Sequence, residues 1–330
     1  MQNQRSEFHR DDQNHLNHLN HLNDPNPNMR KKPVDISNLR HLYPFKDHYL
    51  NINGLKYHYV DEGQGEPVVM VHGNPTWSFY YRELIKTLRQ NYRTIAPDHM
   101  GCGLSDKPDV QSYGFGLKNR VDDLEYLLDR LGIKDDITFI LHDWGGMIGM
   151  AYAIRYPGRV RRLVILNTYA FLPPPEYRIP WTAYFIRHGG PLASFAVLGL
   201  NLFSIAALYL NSRQGLSPDV KNGLTAPYNC WNHRIAVLRF VQDIPLDSRD
   251  ASYQLAKCVD DNLAVFSDRP MLICWGEHDF VFNHHFLKEW QSRFPNAEVH
   301  RFSDAGHYIL EDIPQKIVPL VQDFLQKHPL

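Results

Sequence analysis

Cysteine is scarce in this chain, which has four (Cys102, Cys230, Cys258 and Cys274) among 330 residues. They lie far apart without a Cys-x-x-Cys pair, which argues against a disulfide framework and predicts reduced thiols in a cytoplasmic protein. Net charge is missing too. Lys plus Arg number 35 and Asp plus Glu 36, for a formal charge of −1, and no long basic run occurs. Nothing therefore draws the whole chain toward nucleic acid or an anionic membrane surface, and a small neutral partner is expected. The N-terminus lacks the apolar stretch of a secretory signal. A dinucleotide loop is absent: Gly101-Cys102-Gly103-Leu104-Ser105-Asp106 lacks the third glycine and opens no helix, so no cofactor is expected. Residues 1–30 cannot bury a core, being polar with three His-Leu-Asn repeats, and are predicted to be a disordered tail. Three histidines without acidic or cysteine neighbours make a poor metal site, so no metal is expected; Met29 is an alternative start.

What is present is an ordinary globular composition, 43% hydrophobic and 22% charged, enough for one large α/β core or two modest ones. Leu50/Ile52 and Leu55/Tyr57/Tyr59 flank Asn53-Gly54, the pattern of a tight hairpin. Short apolar runs at Pro67–His72, Thr94–Pro97, Ile137–Leu141, Val160–Leu166, Pro270–Trp275 and Ala297–Phe302 read as buried strands. They alternate with helical periods at Ser78–Arg89, Leu117–Leu131, Asn283–Phe294 and Ile313–Lys327. The alternation predicts a mostly parallel eight-stranded sheet with helices on both faces. Residues 31–168 and 251–330 form this core. Residues 169–250 break the rhythm and are expected to form a helical cap. Gly189–Ser212 is long enough without charge to span a bilayer, but a span there would separate residue 143 from its downstream partners. No transmembrane span is therefore expected; peripheral membrane contact or self-association through the apolar cap stays open.

The chain is organised around Ile137–Gly149. A β-branched run leads into His142-Asp143-Trp144-Gly145-Gly146 and then a helical period, which places Asp143 on a sharp strand-to-helix turn. This is the nucleophile elbow of the α/β-hydrolase fold, here carrying a carboxylate. The fold orders its site as nucleophile, acid, histidine. Asp279, after the strand ending at Trp275, is the acid, ahead of its neighbours Glu277 and Asp304. His307, beside Gly306 and after the last strand, is the base. Asn167 follows the strand ending at Leu166, so no carboxylate is available there. An ionised Asp143 needs no base to attack saturated carbon, which leaves His307 to activate water against the resulting ester. Backbone N–H groups of Asn74 and Trp144 are the expected oxyanion hole. Their side chains add an amide and an indole donor for a leaving group, although packing of Trp144 and a turn role for Asn74 explain each residue equally well alone.

His72-Gly73-Asn74-Pro75-Thr76-Trp77-Ser78, Asp98 through Asp106, His142-Asp143-Trp144-Gly145-Gly146 and Gly306-His307 together resemble the haloalkane dehalogenase family over about residues 45–330. The Asp143–His307–Asp279 triad with Asn74 and Trp144 as a halide pair is similar to the third dehalogenase subfamily, itself similar to the β-lactone decarboxylases of long-chain olefin biosynthesis. Val164–Thr168 and the segment from Pro227-Tyr228-Asn229 to Pro245-Leu246 look closer to the decarboxylases. Leu141 departs from the elbow pattern, where a small residue is usual. The resemblance implies a haloalkane dehalogenase, converting haloalkane and water to alcohol and halide through an aspartyl ester. The alternative is a decarboxylase releasing carbon dioxide and a cis-olefin from a long-chain β-lactone. An epoxide hydrolase, with donors among Tyr177, Tyr184, Tyr209 and Tyr228, is a weaker alternative. A catalytically silent binding module would not need the intact triad.

Overall fold

The computed structural model describes residues 33–330; the predicted disordered tail and its histidine repeats lie outside them. Eight strands form one sheet in the order β1-β2-β4-β3-β5-β6-β7-β8: β1 His48–Ile52, β2 Leu55–Glu62, β3 Pro67–Val71, β4 Arg93–Pro97, β5 Ile137–Asp143, β6 Val160–Thr168, β7 Met271–Gly276 and β8 Glu298–Phe302. Only β1/β2 and β2/β4 pair antiparallel; every other neighbour is parallel. Asn53 and Gly54 join β1 to β2 with φ of 52° and 89°. Two positive φ values in succession match the twist of the flanking strands, which is why Asn-Gly suits this turn.

Adjacent residues of the inner strands enter different cores. On β3, Val69 and Val71 pack into the layer that also takes Phe139 and Leu141, whereas Val68 and Met70 join Ile140 on the other face. Both faces are covered, so the strands read as continuous apolar runs without alternation. The covering helices are α1 Arg82–Leu88, α2 Leu117–Arg130, α3 Trp144–Arg155, α9 Tyr253–Asn262, α10 His284–Arg293, α11 Ile309–Asp312 and α12 Pro314–Lys327.

The single helix expected over Ser78–Arg89 is instead a 3₁₀ turn, Ser78–Tyr81, followed by α1. All four residues of the turn are buried, so they carry no amphipathic period. Between β6 and α9 lie α4 Trp181–His188, α5 Gly190–Leu198, α6 Leu202–Leu210, α7 Pro218–Thr225 and α8 Ile235–Gln242. They enclose a small core of their own, Ile186, Val197, Leu198, Tyr228, Val237, Leu238 and Val241. Among the described residues no single helix is long and apolar enough to cross a membrane; α5 and α6 together would be, but they bend by 68° at their junction.

Candidate active site

The carboxyl ends of β3, β5, β6 and β7 converge on Asp143, the last residue of β5 and the first cap of α3. Its backbone sits at φ 52°, ψ −128°, a conformation that costs a non-glycine residue of order 1–3 kcal/mol unless its surroundings hold it. Two contacts hold it here. The Asn74 backbone N–H donates to Asp143 Oδ1 at 2.6 Å, and the Thr168 hydroxyl donates to the Asp143 carbonyl. Close approach also demands glycine nearby: a methyl on Gly73 would overlap the Asp143 carboxylate, and one on Gly145 the Val71 carbonyl. Leu141, the bulky departure, is matched across the interface, because a methyl on Gly149 of α3 would collide with its Cδ2.

His307 Nδ1 donates to Asp279 Oδ2 at 2.8 Å, and its Nε2 lies 3.5 Å from Asp143 Oδ2. All three side chains are buried. Asp279 Oδ1 accepts from the backbone N–H groups of Val281 (2.7 Å) and Phe282 (2.9 Å). Its other oxygen also accepts from Asn167 Nδ2 at 2.9 Å, and Asn167 is locked by exchanging hydrogen bonds with the Gly276 backbone at 2.8 and 3.1 Å. Asn167, read in the sequence only as the lack of a carboxylate, therefore positions the acid. Glu277 pairs with Arg301, and Asp304 pairs with Lys316 at 2.5 Å, both away from the triad.

Burial opposes charge on His307, but the negative charge of Asp279 and the hydrogen bond to Asp143 outweigh it and raise the imidazole to about 10. Burial likewise works against the Asp143 carboxylate, and His307 with the Asn74 N–H holds it below the ordinary value. His142, its ring tilted by 40° with its centre 4.6 Å from that of His307, is pushed down to about 3 by burial and by that positive neighbour, so it stays neutral and bonds the His307 carbonyl at 2.9 Å. The resting site is thus an imidazolium between two carboxylates. Esterification of Asp143 would remove one of the two carboxylates that hold the proton on His307 and leave Asp279 as the other. His307 should accordingly titrate near pH 10 by nitrogen-15 NMR, and Asp143→Asn should lower that midpoint. A wild-type midpoint near 6.5 would contradict the pairing.

The two residues expected to donate to a leaving group, Asn74 and Trp144, are placed less symmetrically than the sequence suggested. Asn74 Nδ2 donates to the Val237 carbonyl of α8 at 3.1 Å, which leaves one amide proton for the cavity, while its Oδ1 is buried without a partner among the described residues. Trp144 stands against Tyr169 and Phe240, with ring centres at 5.8 and 5.5 Å. Behind Phe240 the buried Arg120 guanidinium lies 3.7 Å from the ring centre, a cation–π support for the wall.

Asn74, Asp143, Trp144 and His307 line a cavity of about 330 Å³ whose remaining walls are mostly apolar side chains of the cap. Of the four tyrosines considered from the sequence, only Tyr177 lines it; Tyr184 and Tyr209 are exposed, and Tyr228 donates to the Thr76 carbonyl at 3.2 Å. Tyr169 was missed. It lines the cavity with its hydroxyl buried and unpartnered among the described residues, and the sequence offered only its place after β6 as a signal.

Residues 66–314 match the family described as alpha/beta hydrolase fold. The chain belongs to the α/β-hydrolase family. Among curated members this α/β-hydrolase is 52% identical to a cis-3-alkyl-4-alkyloxetan-2-one decarboxylase of Shewanella oneidensis, over 86% of this chain and 89% of that one. A Xanthomonas campestris decarboxylase of the same name is 43% identical, over 87% and 98%. Haloalkane dehalogenase 2 of Mycobacterium tuberculosis is 30% identical, also over 87% and 98%. In three dimensions the α/β-hydrolase matches a haloalkane dehalogenase from Agrobacterium tumefaciens C58 with a TM-score of 0.77 and 26% identity, over 86% of this chain and 96% of that one. The relatives thus favour the second of the two chemistries implied by the motifs over the first.

Proposed function

We propose that this α/β-hydrolase is a β-lactone decarboxylase acting on cis-3,4-dialkyl oxetan-2-ones, with Asp143 as nucleophile. The observation that carries this reading is the gradient of likeness, from 52% identity to a decarboxylase down to 30% for a dehalogenase. The mostly apolar cavity suits two alkyl chains. In the first step Asp143 Oδ2 attacks ring C4 with inversion and the C4–O bond breaks, leaving a carboxylate on C3. In the second, the electrons of the C3–carboxylate bond form the C3=C4 double bond while the C4–Oδ2 bond breaks. Carbon dioxide leaves and the Asp143 carboxylate returns. Inversion followed by anti elimination turns cis ring substituents into a cis alkene, and no water enters. His307, oriented by Asp279 and Asn167, acts as an imidazolium facing the departing Asp143 carboxylate. The Asn74 and Trp144 donors face the carboxylate formed on the substrate.

Dehalogenation is the second reading, favoured by the structural likeness. It uses the same Asp143, makes the Trp144 indole and the remaining Asn74 amide proton halide donors, and returns His307 to its role as water-activating base.

Purified protein offered a dialkyl β-lactone and a 1-bromoalkane side by side should convert the lactone at least about tenfold faster. A hydrogen bond to a charged group is worth roughly 1.5–3 kcal/mol. Trp144→Phe should therefore cut any halide release by roughly tenfold to a hundredfold, with the smallest loss for iodide. Halide release without carbon dioxide from the lactone would overturn the proposal and leave dehalogenation in place.

A further inference from the structure

The neutrality of the whole chain hides a local asymmetry on the cap. From Tyr177 to Pro218 there is no Asp or Glu, whereas Arg178, Arg187 and Arg213 fall within this stretch. Arg187 is tied to Asp250 and the Gln242 carbonyl, but Arg178 and Arg213 are exposed. Beyond Asp219, which is exposed and turned to His41 at 3.3 Å, Lys221 adds a further cation 4.4 Å above the Tyr209 ring. Between these cations α4, α5 and α6 turn large apolar side chains to solvent. Trp181, Leu192 and Tyr209 are 77%, 69% and 66% exposed, and Phe195, Leu200 and Ile205 lie between 43% and 52%. A soluble chain rarely leaves so large an apolar surface uncovered without a use for it.

The patch runs into the cavity. Trp181, Phe185, Leu202, Leu210 and Phe280 are exposed at the surface and also line the space that holds Asp143. A protein docked here would cover the route to the carboxylate. A bilayer would extend that route, because acyl chains are the medium in which long alkyl substrates dissolve. The 68° bend between α5 and α6 suits helices lying in an interface better than helices crossing one.

We propose that the α4–α6 face of the cap docks on a lipid bilayer containing anionic lipid, with the cavity mouth turned toward the acyl chains. The exposed apolar side chains enter the headgroup boundary, and Arg178, Arg213 and Lys221 meet lipid phosphates at the rim. The docking itself does not depend on which substrate reacts; the benefit of docking, direct delivery of a long-chain lactone, rests on the decarboxylase reading.

The test is co-sedimentation of the full chain with phosphatidylcholine vesicles, with and without phosphatidylglycerol, at low and high salt. The protein should pellet with the mixed vesicles, and salt should weaken this. A Leu192→Asp/Ile205→Asp/Tyr209→Asp variant should lose at least about tenfold in bound fraction. These three residues do not line the cavity, so the variant should keep the wild-type melting temperature and turn over a short, water-soluble β-lactone normally. It should fail only on a long-chain lactone embedded in vesicles. Lack of pelleting with either vesicle type, or equal pelleting by the variant, would overturn the proposal. So would a wild-type oligomer in analytical ultracentrifugation that the variant abolishes, since that would assign the face to a second copy of the chain. Vesicle binding without lactone turnover would sink the decarboxylase reading alone, and lactone turnover in detergent without vesicle binding would sink the docking alone.

Discussion

Turnover in oxygen-18 water should leave Asp143 unlabelled when a cis-3,4-dialkyl oxetan-2-one is the substrate, and should label it when a 1-bromoalkane is. In dehalogenation water attacks the carboxyl carbon of the Asp143 ester, so one carboxylate oxygen comes from solvent after a turnover. In decarboxylation the Asp143 ester is broken at its bond to substrate carbon, and both oxygens stay. Mass spectrometry of the peptide carrying Asp143 reads the difference directly. The Asn74 N–H already grips Oδ1 at 2.6 Å, where an oxyanion would form, so the hydrolytic branch is geometrically available and the control reaction is a fair one. Asp143→Asn should lower lactone conversion by roughly ten-thousandfold to a millionfold. Label on Asp143 after lactone turnover would show that water, and hence His307 as base, takes part.

The second large effect belongs to Asp98, which touches no part of the cavity. Its fully buried carboxylate accepts from the Ser78 N–H at 2.7 Å, the Leu104 N–H at 2.8 Å and His58 Nδ1 at 2.7 Å. Burial works against charge on His58, yet Asp98, helped by Asp47, raises its pKa above the usual imidazole value. Asp98→Ala would orphan two backbone donors and take from the buried His58 imidazole the nearer of its two carboxylate partners, leaving Asp47 at 3.4 Å. Removing one partner of a buried pair costs roughly 3–5 kcal/mol, a melting-temperature loss on the order of 10 °C. Asp98→Asn, which keeps an acceptor, should lose less. Thermal and urea unfolding would measure both, and an unchanged midpoint for Asp98→Ala would show that the loop closes without this anchor.

Where the sequence was legible, local chemistry and burial agreed. The Asn53-Gly54 hairpin needs two positive φ values and has residues that tolerate them, and strands covered on both faces announce themselves as apolar runs. Legibility ended where polar residues carry strands past their apolar stretch. β5 continues through His142-Asp143 and β6 through Asn167-Thr168, and these are the residues that build the site. Asn167 gives no such signal, because its work, bridging the Gly276 backbone to Asp279, depends on two segments more than 100 residues apart in sequence. That Asp143, Asp279 and His307 come together could be anticipated because glycine, order and position constrain them jointly. The ranking of the two reactions could not, because attack on saturated carbon by a buried carboxylate begins both.

On the proposed decarboxylase chemistry, the mostly apolar cavity decides what becomes of the opened lactone. In the ring-opened intermediate the charge of Asp143 has passed to the substrate carboxylate, which sits in a poorly polarisable space with the His307 imidazolium nearby and the Asp279 carboxylate behind it. Losing neutral carbon dioxide moves that electron pair back to Asp143, where the Asn74 N–H and the His307 imidazolium receive it. Dryness therefore acts as the branch point between two products: water admitted to the same intermediate would yield a 3-hydroxy acid, and its exclusion yields the alkene.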